Sequence, residues 1–190
     1  FADQPGNSMH AHVSILDRDG RNLFDNGLHT GSGLMHRAVA GCLACMPAAP
    51  LVFAPWENSF LRIAPGAHAP TGVSWGYENR TTALRIPGGD PAARRIEHRV
   101  AGSDANPYLL LTAILGSILI GVEDELTPPA PLIGNAYEQR VLQLPMDWDA
   151  AITRFDQSPT MKRIFPTALI ENLIATKLQE QRRMADLSPE

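Results

Sequence analysis

Two stretches, His10-Ala11-His12-Val13-Ser14-Ile15 and Arg95-Ile96-Glu97-His98-Arg99-Val100, decide how this chain folds. Side chains alternate across a strand with a period of two, so His10, His12 and Ser14 face one way while Met9, Ala11, Val13 and Ile15 face the other. Arg95, Glu97 and Arg99 segregate in the same manner, which leaves His98 on the opposite face with a structural role. Each stretch therefore reads as a strand with one apolar and one chemically equipped face. Imidazole, hydroxyl, carboxylate and guanidinium groups on strand faces suit a site for a divalent ion and a nucleotide. Hard cations take oxygen donors, and phosphates take Arg forks.

Residues 17–20 follow the first strand as a turn and 22–24 as a short return strand, which together make a hairpin. Ser32 caps a helix to about Met46, stopped by Pro47. The segment 47–70, rich in Pro and Ala, reads as an ordered loop that carries function. Strands are expected at 74–77, 81–86 and 94–100. Asn106-Pro107, an N-cap followed by Pro at the first helical position, opens a core helix whose apolar run covers 108–122. Beyond Pro131 the composition turns helical: Asp147 or Asp149 caps a helix through Phe155, a turn covers 159–163, and an amphipathic helix runs from about 167 to 184. Strands first and helices after predict an α+β unit with a largely antiparallel sheet and helices on one side.

With 190 residues, 44% hydrophobic and 19% charged, the chain is long enough for one substantial core. A net charge of -4 gives no electrostatic reason to expect nucleic acid. Of the 16 basic residues only Lys162 and Lys177 are lysine. An Arg- and Ala-rich genome accounts for that bias as well as recognition of carboxylate and phosphate does, for which Arg is the better fork. Cys42 and Cys45 fall at helical spacing among apolar residues and read as small buried hydrophobes, not as a disulfide or a zinc site. The run 108–122 is shorter than the roughly 20 residues a membrane span needs. The chain opens at Phe1 with a motif close behind, so a piece of a longer polypeptide is expected.

Four segments give the chain a family resemblance. They are Gly6-Asn7-Ser8-Met9-His10-Ala11-His12-Val13-Ser14; Asn58 to Pro70; Asn79-Arg80-Thr81-Thr82-Ala83-Leu84-Arg85-Ile86-Pro87; and Arg94-Arg95-Ile96-Glu97-His98-Arg99 followed by Asp104-Ala105-Asn106-Pro107-Tyr108. In this order they resemble the C-terminal part of the catalytic domain of the glutamine synthetase family. Trp75-Gly76-Tyr77 and Val100-Ala101-Gly102 are most similar to its gamma-glutamylputrescine synthetase branch. The motifs lie in residues 1–125, and 126–190 reads as a helical tail. An N-terminal domain and an upstream catalytic half, with further metal carboxylates, are expected outside these residues.

The resemblance implies a cytoplasmic ligase that phosphorylates the γ-carboxyl of glutamate with ATP and lets an amine displace the phosphate. His10 and Glu97 would share a divalent ion, Mg2+ or Mn2+. His12, Ser14 and Arg95 would contact nucleotide, and Arg80 and Arg85 would hold phosphate. Gly6, Arg62 and Arg99 would hold glutamate or its acyl phosphate. The partners implied are L-glutamate and an amine, with no nucleic acid and no membrane, in a ring-forming homo-oligomer that is a dodecamer in the family.

Three departures bear on the subclass. Where glutamine synthetases carry a carboxylate that attracts ammonium, this chain has His68, which offers a base but no fixed negative charge. Pro5 replaces an Asn on the glutamate side and Ala92 a Lys on the nucleotide side. The residues around Tyr137 do not match the segment adenylylated in some bacterial glutamine synthetases. The leading reading is a γ-glutamyl ligase for a polyamine such as putrescine. Its alternatives are glutamine synthetase proper and a non-catalytic structural or regulatory member, and a guanidino kinase relative is disfavoured because no catalytic Cys motif is present. The 190 residues by themselves are expected to be inactive.

Overall fold

The computed structural model describes residues 7–64 and 69–185. Four short strands, β1 (Ala11–Val13), β2 (Trp75–Tyr77), β3 (Leu84–Ile86) and β4 (Ile96–His98), form one sheet in the order β1-β4-β3-β2. β4 is antiparallel to both β1 and β3, while β2 runs parallel to β3. A parallel pair usually needs a crossover of a dozen or more residues. Here residues 78–83 suffice, because a three-residue strand is only about 10 Å long and a short return spans it. Glu78 makes the reversal with a left-handed φ of 52°.

The register fixes the chemistry of the two faces. His12 lies opposite Glu97, and Glu97 opposite Arg85, so these three form a row on one side of the sheet. Ala11, His98, Leu84 and Trp75 form the neighbouring row on the other side. That second face rests on helices: His98 stacks at 4.7 Å between ring centroids on Phe53 of α2 (Pro50–Phe53), and Trp75 meets His36 of α1 (Gly33–Cys45). The fold is thus α+β, with a largely antiparallel sheet and its helices on one side.

α1 and α3 (Pro107–Glu123) make the central helical contact. Each starts where a side chain satisfies free backbone N–H groups: Ser32 Oγ accepts from Met35, and Asn106 Oδ1 accepts from Tyr108 and Leu109. The helices cross at Gly41 and Gly121. A Cβ on Gly41 would overlap Ser117 O and lie 2.6 Å from Gly121 N, and one on Gly121 would overlap Arg37 O. α4 (Trp148–Gln157), capped by Asp147, and α5 (Pro159–Ile164), capped by Ser158, lead to α6 (Thr167–Ala185). Lys177 ties α6 down: its ammonium sits 4.2 Å from the ring centre of Trp56, 5.7 Å from that of Trp148 and 2.7 Å from Glu180. Phe24, Met35, Phe53, Leu84, Ile96, Leu110 and Phe155 lie in one continuous core.

Several sequence expectations are corrected. Residues 22–24 make no return strand, only a single bridge from Leu16 to Asn22, because the Asn22 amide crosses to the carbonyls of Ala92 and Arg94. The segment 47–64 is largely short helical turns, including α2 and Glu57–Arg62. Residues 159–163 belong to helix α5, since Ser158 caps it. α3 is not buried all round: Leu111, Leu115 and Leu119 form an exposed stripe at intervals of one helical turn. No helix among the described residues is long and apolar enough to cross a membrane. Cys42 and Cys45 are free and buried, and burial pushes both thiols up.

Candidate active site

The alternation read from the first strand is reproduced in exposure: His10, His12 and Ser14 are exposed, while Met9, Ala11, Val13 and Ile15 are half-buried. Glu97 is the hub of the open face. It is 3% exposed, and both of its oxygens are engaged. Arg99 Nη1 donates to Oε1 at 2.8 Å, Arg85 Nη1 donates to Oε2 at 2.8 Å, and His10 Nδ1 lies 3.0 Å from Oε1. Burial by itself would raise the Glu97 pKa, but the hydrogen bonds from Arg85 and Arg99 outweigh it and hold the carboxyl below the usual range. Burial, with Arg99 nearby, pulls the His10 pKa down. At neutral pH the pair is therefore a carboxylate beside a neutral imidazole.

Around this hub the remaining groups fall into place by element. Arg99 Nη2 donates to the carbonyl of Arg80 at 2.8 Å, which fixes the turn on which the exposed Arg80 side chain stands. Arg85 reaches beyond Glu97 to both oxygens of Glu78 at 3.2 Å. Glu78 also accepts from Gly88 N, and that bond is the main reason its pKa is lowered. At the edge of the face Arg95 Nε donates to His12 Nδ1 at 3.2 Å, and Ser14 follows on the same side. The face holds Arg80, Arg85, Arg95 and Arg99 against Glu78 and Glu97, an excess of positive charge. The Nε atoms of Arg85 and Arg99 are buried without a partner among the described residues.

Arg62 stands apart from the hub. It closes the turn Glu57–Arg62, is 6% exposed, and donates from Nη2 to Val100 O at 2.8 Å. The two groups meet through the chain: Val100 follows Arg99 directly. Gly6 and His68, expected on the glutamate and amine sides, lie outside the described residues, as does Pro5. Ala92 is exposed and offers the sheet face only its methyl group. Glu78 is a member of the cluster that sequence reasoning missed. It sits in a turn, where the period of two that exposed the other residues does not apply.

His98 is structural and titrates with a large effect. It is 2% exposed with no hydrogen-bond partner at Nδ1 among the described residues, and burial drives its pKa down to about 3. Between that value and the unfolded value near 6.5, the unfolded chain carries a proton here and the native one does not, so stability falls as pH falls. From pH 7 to pH 5 this group removes about 2 kcal/mol. In urea unfolding the stability of the protein should fall by that amount relative to His98→Leu over this range. A constant gap between the two would contradict the assignment.

Metal capacity follows from the same geometry. The 3.0 Å between His10 Nδ1 and Glu97 Oε1 equals the distance two adjacent ligands keep on an octahedral ion with bonds near 2.1 Å, about 3.0 Å. A neutral imidazole and an ionised carboxylate are the forms that ligate; such a pair accepts Mg2+ but suits Mn2+ better, since imidazole is softer than oxygen ligands. The residues fit a divalent ion as part of its shell. Among the described residues no group of three or more His, Cys, Asp or Glu side chains gathers around one point.

The open sheet face thus presents an arginine-clamped carboxylate beside a histidine, and comparison with known proteins specifies the family. The family model described as "Glutamine synthetase, catalytic domain" matches residues 1–189, including the C-terminal helices that carry no motif. The chain belongs to the glutamine synthetase family. It is 39% identical over 163 residues to gamma-glutamylputrescine synthetase PuuA of Escherichia coli K12, covering 86% of this chain and 34% of that protein. It is 39% identical over 165 residues to gamma-glutamylethanolamide synthetase GlnA4 of Streptomyces coelicolor, covering 87% and 35%. The solved structure of apo GmaS superposes with a TM-score of 0.88 at 26% identity, covering all of this chain and 44% of that one. The chain thus spans about a third of the length of these curated relatives.

Proposed function

We propose that the full-length protein is an ATP-dependent carbon-nitrogen ligase. It joins the γ-carboxyl of glutamate to an amine through a γ-glutamyl phosphate, and the amine is an organic one such as putrescine. One observation carries the reading: Arg85 and Arg99 close on Glu97 from two sides and still keep buried Nε donors without a partner among the described residues. Donors in excess of acceptors call for an anion, and phosphoryl transfer is mainly the positioning and neutralisation of anionic oxygens. Relatives named for putrescine, ethanolamide and isopropylamine, at 33–39% identity, support the organic amine.

In this reading Arg80 and Arg85 hold the transferring phosphoryl group, and His12, Ser14 and Arg95 hold the nucleotide. Arg99, with Arg62 and Gly6, orients glutamate so that a γ-carboxylate oxygen faces the phosphorus. His10 and Glu97 would hold Mg2+ or Mn2+, which when bound neutralises the ATP phosphates. Arg99 then stabilises the acyl phosphate while the amine attacks, and His68 takes the proton that the amine releases. In this reading an N-terminal domain and an upstream catalytic half, outside these residues, complete the metal shell. The full-length protein is a cytoplasmic ring-forming homo-oligomer, a dodecamer as in its family.

Ammonium is held by fixed negative charge before deprotonation, whereas a diamine carries an apolar stem and a second charge. His68 in place of a carboxylate weakens the first mode more than the second. One charge-assisted contact is worth roughly 1.5–3 kcal/mol, or about one to two decades in kcat/KM. Phosphate release with ATP and glutamate should be at least about tenfold faster with putrescine than with ammonium at matched concentrations, and His68→Glu should narrow that gap. Preference for ammonium would make the protein a glutamine synthetase. Absence of any amine-dependent release would favour a non-catalytic member.

A further inference from the structure

Arg62 reaches its place through a second carboxylate. We propose that Asp104 is the positioning residue for Arg62: acting through Ser59, it locks the turn Glu57–Arg62 so that the guanidinium borders the small polar cavity beside it. The inference rests on the reading that Arg62 holds glutamate. The cavity, about 210 Å³, is lined by Asn7, Asn58, Ser59, Arg62, Ser103 and Asp104. Arg62 Nη2 is committed to Val100 O, while Nη1 is buried and has no partner among the described residues.

The hydrogen-bond directions leave Ser59 no freedom. Its hydroxyl accepts from Trp56 N at 3.0 Å, at the start of the turn, so its single proton goes to Asp104 Oδ2. Ser59 is 6% exposed, and the bond therefore joins the turn to the segment leading into α3 from within. Asp104 is not used up as the helix cap, since Asn106 fills that role. Gly102 makes the approach possible. A Cβ there would overlap Asp104 Oδ1 and lie 3.2 Å from both Nε and Nη2 of Arg62, so the carboxylate and the guanidinium close over the same bare Cα. The negative charge of Asp104 also offsets the effect of burial on Arg62.

Fluorescence titration of the full-length protein tests this. Asp104→Asn should weaken glutamate binding about 10- to 100-fold and change ATP binding by less than about twofold, since one charge-assisted contact is lost on the amino-acid side alone. Ser59→Ala should act in the same direction, Ser59→Thr should restore binding, and Ser59→Ala with Asp104→Asn should be no worse than Asp104→Asn by itself, because the hydroxyl acts through the carboxylate. Unchanged glutamate affinity, additive effects, or equal losses for glutamate and ATP would overturn the proposal. If Asp104→Asn does not fold, the Ser59→Ala and Ser59→Thr pair decides by the same criteria. Arg62→Gln separates the two levels. If it weakens glutamate binding while Asp104→Asn and Ser59→Ala do not, positioning fails alone; if it has no effect, the role given to Arg62 fails and takes the inference with it.

Discussion

Glu97→Gln should lower amine-dependent phosphate release by at least about 1000-fold and cost about 3 kcal/mol of stability. The carboxylate accepts from Arg85 and Arg99 and adjoins His10, so removing its charge leaves a buried and a half-buried guanidinium facing a neutral amide. Breaking a buried ion pair at one partner typically costs 3–5 kcal/mol, and removing preorganised charge from a reacting centre costs about two to three decades, before the loss of the proposed metal ligand is counted. Glu78→Gln offers the contrast. Glu78 is exposed and shares Arg85 with Glu97, so its loss should stay under about 1 kcal/mol. Steady-state assays and urea unfolding of both variants check the pair; equal effects would mean that Glu97 is not the hub.

Gly121→Val should destabilise the protein by about 3 kcal/mol or more without touching the sheet face. At the crossing of α1 and α3 each glycine lies against the other helix's backbone, where no side-chain rotamer can give way. Overpacking usually costs 1–3 kcal/mol, and a clash with backbone belongs at the upper end. Gly20, whose Cβ would meet nothing within 4 Å, has space but a φ of +80°, so Gly20→Ala should cost only about 1 kcal/mol, from backbone strain. Urea midpoints of the two variants should differ accordingly. Comparable losses would show that the helix crossing is looser than its geometry.

Much of the site was legible because strands alternate. His10, His12, Ser14, Arg95, Glu97 and Arg99 sort onto one face by counting residues alone. What counting cannot supply is register: His12 and Arg85 meet Glu97 from strands far apart in sequence, and a shift of one residue would have reversed every side chain. Glu78 and Asp104 escaped because turns have no period. The parallel pairing of β2 and β3 escaped because strands this short allow a return that longer ones forbid. Caps are legible at Ser32, Asn106 and, of the two candidates Asp147 and Asp149, at Asp147, where a side chain bonds nearby backbone, whereas Ser158 ends α4 and caps α5 at once, so that the short α5 reads as a turn. The exposed leucine stripe of α3 could not be foreseen, since composition gives apolarity but not what covers it.

In the proposed function this face serves the phosphorylation of a carboxylate. Forming γ-glutamyl phosphate joins a γ-carboxylate oxygen to the γ-phosphorus of ATP as the bond to the bridging oxygen breaks and ADP leaves, and attack by the amine at carbon expels that carboxylate oxygen with the phosphate. Glutamate labelled with ¹⁸O in the γ-carboxyl, turned over by the full-length protein with ATP and putrescine, should therefore yield phosphate carrying one ¹⁸O per amide formed. Phosphate free of label, with amide formed at the same rate, would contradict the account.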